Sequence, residues 1–137
     1  TGHTLLLLDA TGAYHREVVK RMGEKGHYLT PMMQLQDPER TKILLVTLPE
    51  TTPVLEAAGL QEDLRRAGIE PWAWLINNSL VATETASPLL LTRAAHEAAQ
   101  IDKVRTELAS RMALIPLQQE EPTGTEQLKR LTRQAGK

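Results

Sequence analysis

Two amides and a hydroxyl, Asn77, Asn78 and Ser79, follow directly on the apolar run Trp72, Ala73, Trp74, Leu75 and Ile76. An Asn side chain carries a donor and an acceptor side by side, which suits it to reading the edge of a planar ligand. If the run is a strand, these groups stand at its carboxyl end, where open α/β sheets bind ligands. Turn formation is the plainer use of Asn at such a place. The four histidines, His3, His15, His27 and His96, have no spacing that makes a ligand pair. No Gly-rich loop ending in Gly-Lys-Ser or Gly-Lys-Thr occurs, so nothing in the stretch cradles phosphates or holds magnesium. Catalysis therefore cannot reside in these residues alone, and no catalytic residue is assigned.

Composition narrows the partners. The 16 basic and 17 acidic residues leave a formal charge of -1, which gives no attraction to nucleic acid or anionic membranes. The absence of cysteine excludes disulfides and thiolate metal sites within the segment and fits a reducing compartment. The longest apolar run, residues 5–8, is far short of the roughly 20 residues of a membrane-spanning helix, and no charged-then-apolar leader opens the chain. A soluble, untargeted segment is expected. With no Phe, two Trp and two Tyr, the interior must be filled by Leu, Val, Ile and Ala, and stacking platforms for bases are scarce.

The elements that must position these residues follow from periodicity. Short apolar runs alternate three times with helical patterns, which predicts an α/β fold with three parallel strands at about residues 43–48, 72–77 and 112–116 and flanking crossover helices. The first run is apolar throughout, as in a strand covered by helices on both faces. A helix should follow with Thr52 as N-cap and Pro53 in first position, a stripe of Ala57, Leu60, Leu64 and Ala67, and Gly68 as its stop. Ser87 and Pro88 open a second, with Leu91, Ala95, Ala98, Ile101 and Leu108 as its stripe, in one long piece or two jointed ones. A last helix begins near Gly124, with Thr123 and Glu126 at capping-box spacing and Leu128 and Leu131 apolar. Residues 13–22 look helical; for residues 4–8 periodicity leaves strand and helix open.

The opening run Thr1-Gly2-His3-Thr4-Leu5-Leu6-Leu7-Leu8-Asp9-Ala10-Thr11-Gly12-Ala13-Tyr14-His15-Arg16-Glu17 resembles the segment after the second-half signature of the arsenical pump-driving ATPase family, called ArsA. Further matches are Asp37-Pro38-Glu39-Arg40-Thr41, Leu48-Pro49-Glu50-Thr51, Trp74-Leu75-Ile76-Asn77-Asn78-Ser79 and Ile115-Pro116-Leu117, which in order and spacing cover almost the whole chain. The resemblance implies that residues 1–137 are the carboxy-terminal part of the second ATPase half, a partial P-loop NTPase-type sheet without its phosphate-binding loop. It also makes residues 4–8 a helix.

By the same resemblance Asn77 recognises adenine, with Asn78 as the weaker candidate, and Pro116 and Leu117 lie beside the base with the main chain of residues 118–120 completing the pocket. His3 becomes an auxiliary ligand to trivalent arsenic or antimony beside cysteines from elsewhere, and Thr1 and Gly2 belong to a nucleotide-linked switch. Pro49 and Glu50 fall near the interface of the two halves, with a simple turn as the alternative. The implied whole is a hydrolase acting on ATP with Mg, activated by arsenite or antimonite. It drives a membrane arsenite pump from the cytoplasmic side of the inner membrane, with an arsenite metallochaperone as a further partner and no nucleic acid. The isolated stretch is expected to be inactive.

A targeting chaperone for tail-anchored membrane proteins is the alternative within the wider family. It would need a methionine-rich groove, for which Met32 and Met33 are the only adjacent pair. A noncatalytic binding module is the third reading, for the stretch taken alone.

Overall fold

The computed structural model describes residues 30–83 and 87–134, together with Glu17, which is helical. The helix expected at residues 4–8, the rest of that at 13–22, and His3, Thr1 and Gly2 lie outside the described residues. The described chain falls into two compact units, residues 30–43 with 59–72 and residues 44–58 with 73–134.

In the first unit, α1 (Pro31–Gln36) is a helix that the apolar pattern did not announce. Its start is nevertheless written in the chain: Thr30 is the N-cap, its Oγ1 accepting from the Met33 N–H at 3.2 Å, and Pro31 fills the first turn. Met32 is its one buried residue. The second half of α2 (Thr51–Arg66) closes this unit. Gly68, at φ +75, ends α2 as expected, and the Gly68 and Ile69 N–H groups donate to Arg65 and Leu64 carbonyls, each at 2.9 Å. This paired closure needs the left-handed region that glycine enters without a Cβ clash. Ile69 and Leu64, its two apolar ends, are both buried. Gln36 Nε2 then donates to the Ala67 carbonyl at 2.7 Å, tying α1 to the end of α2.

The second unit holds a three-stranded parallel sheet in the order β1 (Leu44–Thr47), β2 (Ala73–Ser79) and β3 (Met112–Pro116). The crossover from β1 to β2 runs through α2. That from β2 to β3 runs through α3 (Pro88–Lys103) and a π-helical turn, Val104–Leu108, continuous with it. Leu45 and Thr47 register with Trp74 and Ile76, and all four are buried. Val54, Ala57, Ile101 and Val104 supply the helical part of this core.

Several expectations are corrected. β1 is covered on one face only: Leu44 and Val46 are 49% and 60% exposed while Leu45 and Thr47 are buried. An unbroken apolar run thus conceals an alternating strand. The first helix starts at Thr51 rather than after Thr52, because the Glu50 carbonyl already accepts from Val54 N–H at 3.0 Å. Pro53 is tolerated there because N–H groups of the first turn have no helical partner. In α3 Ser87 and Pro88 stand at the start as expected, although the Ser87 side chain makes no cap hydrogen bond; the buried face carries Glu97 and Ile101, followed by Val104 of the π-helical turn, while Leu91, Ala95 and Ala98 are exposed. The many alanines permit two stripes, and the inner one contains a carboxylate, which burial patterns rarely place inside without a partner. Helix α4 (Gly124–Gln134) starts where expected, yet Thr123 is held by Gln127, whose Oε1 accepts from the Thr123 N–H at 2.6 Å, and Glu126 pairs with Lys129 instead. Leu128 is 51% exposed and Leu131 half-buried, so its apolar positions form no buried stripe.

Candidate functional site

The carboxyl ends of β2 and β3 make the site. The register passes from Ile76 opposite Leu114 to Ser79 opposite Pro116, so β2 spends one residue more than β3 over that interval. This is a β-bulge, the device that bends a strand end and re-aims its side chains. Asn78 sits in it at φ 57, a conformation Asn tolerates better than other residues with a side chain. Thus Asn77 and Asn78 lie within β2, which runs two residues beyond the expected end. Asn77 is half-buried and Asn78 exposed.

Beyond the bulge, one peptide unit gathers the neighbouring chain. The Ser79 carbonyl accepts from the Leu117 N–H at 3.0 Å and from Thr83 Oγ1 at 2.9 Å. The Leu80 N–H of the same peptide donates to Glu97 Oε2 at 2.8 Å. Ser79, Leu80 and Glu97 are 0%, 3% and 7% exposed, so the Leu80–Glu97 bond is made away from water, where an unmade bond would be costly, while the Thr83 bond is part-buried. The Ser79 hydroxyl accepts from Ala82 N–H at 3.4 Å, and Thr83 N–H bonds the Leu80 carbonyl at 3.0 Å, which folds residues 79–83 into a compact turn.

Against this turn opens a cleft of about 570 Å³. Thr83 forms one side of it, Pro116 and Leu117 another, and the loop of residues 118–120 a third. Gln127 and Arg130 of α4 border it as well. The loop is shaped by Gln118, whose Nε2 donates to the Pro116 carbonyl at 2.8 Å. The walls therefore combine apolar residues, a polar loop and a guanidinium, a mixture suited to a flat, polar-edged ligand.

Of the residues singled out from sequence, Pro116 and Leu117 line this cleft, whereas Asn77 and Asn78 stand in the strand below it and are not part of its wall. Pro49 is buried, and exposed Glu50 faces Arg93 at 3.6 Å. His96 is exposed on α3. Sequence reasoning overlooked Glu97, Thr83 and Arg130. A charged residue inside an alanine-rich helical run was the available signal for Glu97; nothing local marked the other two. Among the described residues no three His, Asp or Glu gather to hold a metal ion.

The comparisons agree with this architecture. A family model described as anion-transporting ATPase matches residues 1–135. An arsenical pump-driving ATPase of Escherichia coli is 70% identical over 131 residues, 96% of this chain and 22% of the relative. A protein of the same name from Acidiphilium multivorum is 67% identical over the same share of both chains. This chain thus spans about a fifth of the length of the curated relatives it matches. No helix among the described residues is long and apolar enough to cross a membrane. With the family match running over nearly every residue and three parallel strands joined by helices beneath it, the chain belongs to the anion-transporting ATPase family.

Proposed function

We propose that this chain is the adenine side of a nucleotide site in a longer ATPase, one that couples ATP hydrolysis to arsenite or antimonite export through a membrane pump. The observation that carries the reading is the bond from Leu117 N–H to the Ser79 carbonyl, which joins the ends of two adjacent parallel strands at the mouth of the cleft. Open parallel sheets bind their ligands at such strand ends. The names borne by the relatives supply the arsenical cargo and the pump.

In this reading Pro116 and Leu117 pack against the base, and the main chain of residues 118–120 offers it hydrogen bonds. Asn77, in the bulged end of β2 and outside the cleft wall, is assigned the donor and acceptor pair that matches the amine and ring nitrogen of adenine at the cleft's edge. When bound, magnesium and phosphates are held by residues outside this chain, and His3 serves a metalloid as imidazole beside thiolates from elsewhere. These residues bind and orient; they do not perform the phosphoryl transfer. The chaperone alternative gains no support from the methionines, since Met32 is buried and Met112 half-buried, leaving Met33 alone exposed among those described.

The test is made in the full-length protein. Asn77→Ala is expected to weaken ADP binding about tenfold, the loss of one or two hydrogen bonds, with tripolyphosphate affinity kept. Titration calorimetry reads both ligands. Unaltered ADP affinity in that variant and in a Pro116→Gly, Leu117→Gly pair would remove the base from this cleft.

A further inference from the structure

We propose that Glu97 is a positioning residue for the base-binding cleft, acting through a single peptide plane; the inference rests on the adenine-side reading above. A trans peptide is rigid and points its N–H and C=O in opposite directions. Fixing one therefore aims the other. In the Ser79–Leu80 peptide, Glu97 Oε2 takes the N–H at 2.8 Å, and the carbonyl on the far side takes Leu117 N–H at 3.0 Å and the Thr83 hydroxyl at 2.9 Å. Leu117 and Thr83 are both cleft walls. Glu97 is thus one peptide away from two sides of the site while lining none of it.

Three features suit Glu97 to this task. Its helix is anchored by Ile101 and Val104, 2% and 0% exposed, so the carboxylate is delivered from the core rather than from a mobile surface. The bond is buried and spans 17 residues of sequence, joining α3 to the end of β2 across the loop between them. A carboxylate on the N–H also polarises the peptide and strengthens its carbonyl as an acceptor, since hydrogen bonds in series reinforce one another away from water. The bulge between residues 76 and 79 interrupts the regular β2 to β3 ladder just ahead of the Ser79–Leu117 bond, so the Leu80–Glu97 bond adds a fixed point where regular pairing is short.

The experiment compares Glu97→Ala, Glu97→Gln and Glu97→Asp in the full-length protein, beside Asn77→Ala, with ADP and tripolyphosphate as separate probes. Glu97→Ala should lose about tenfold in ADP affinity and keep tripolyphosphate binding within about twofold. Glu97→Gln, which retains an acceptor oxygen of the same reach, should recover most of the loss. Glu97→Asp, one methylene shorter, should not. Hydrogen exchange at the Leu80 amide should quicken in the Ala and Asp variants and stay slow in the Gln variant. Equal losses for both ligands would make Glu97 a general stability residue and overturn the proposal, as would unaltered ADP affinity in the Ala variant. Should the Ala variant fail to fold, the contrast between Gln and Asp decides in the same terms. If Asn77→Ala weakens ADP binding and the Glu97 series does not, only this inference fails. If neither the Asn77 nor the cleft-wall variants alter ADP binding, the adenine reading itself fails.

Discussion

Ser79 has no exposed surface, yet its carbonyl serves two donors and its peptide N–H partner, Leu80, a third group. Such concentration of bonds on one buried residue marks its peptide as the point that the neighbouring strand end and turn are built around. The opposite case is the Arg65–Glu70 pair, where the guanidinium meets both carboxylate oxygens at 2.8 to 3.2 Å while the side chains stay 49% and 65% exposed. Hydrogen bonding from Arg65, with its charge in support, holds the Glu70 carboxyl below its usual pKa, and the same bond raises Arg65. A depressed carboxylate stabilises the fold above its unfolded pKa and loses that contribution as pH falls through the folded one. Glu70→Gln should therefore cost about 0.5 kcal/mol at neutral pH, the size of a screened surface pair, and nothing once the carboxylates are protonated. Urea unfolding across the acid range reads the difference. Of the residues around the site, Asn77, Asn78 and Ser79 stood out in the sequence because polar groups at a strand end are a local signal, and Pro116 and Leu117 through the family resemblance. Glu97 acts on a residue 17 positions away, and no local pattern reports such a partner.

At the scale of elements, prolines and glycines marked helix ends more legibly than the capping hydroxyls did. Pro88 opens α3 in the first turn and Gly68 closes α2 as their chemistry dictates, and Thr30–Pro31 makes the full cap-then-proline start for α1. A Cβ at Gly68 would meet Gln36 Nε2 at 3.3 Å on top of the cost of φ +75. Gly68→Ala should accordingly destabilise the protein by about 1 kcal/mol, seen as a lower urea midpoint at unaltered slope. An unaltered midpoint would mean that the turn relaxes into another conformation. The faces of the elements were less legible than their ends. β1 and α3 are rich enough in Leu, Val and Ala that either side satisfies the hydrophobic pattern, and the choice is made by register with Trp74 and Ile76 and by the buried bond of Glu97. The bulge in β2 was not legible at all, since it arises from pairing with β3.

For the molecule as a whole, three apolar runs and their spacing carried the parallel sheet into view, because crossover connections leave few other arrangements. The cleft was not visible in the same way. It is made by segments about 35 residues apart, Ala82 with Thr83 and Pro116 with Leu117, and only folding brings them to one rim. The division of labour proposed here is that this chain holds the base while phosphate, magnesium and thiolate chemistry come from other parts of a longer protein. The most direct measurement is photolabelling of the full-length protein with 2-azido-ADP, followed by peptide mapping. The account predicts label on the peptides carrying Asn77 and residues 116–120, suppressed by excess ATP and not by tripolyphosphate at concentrations that leave the base site free. Label confined to peptides outside this chain would contradict it.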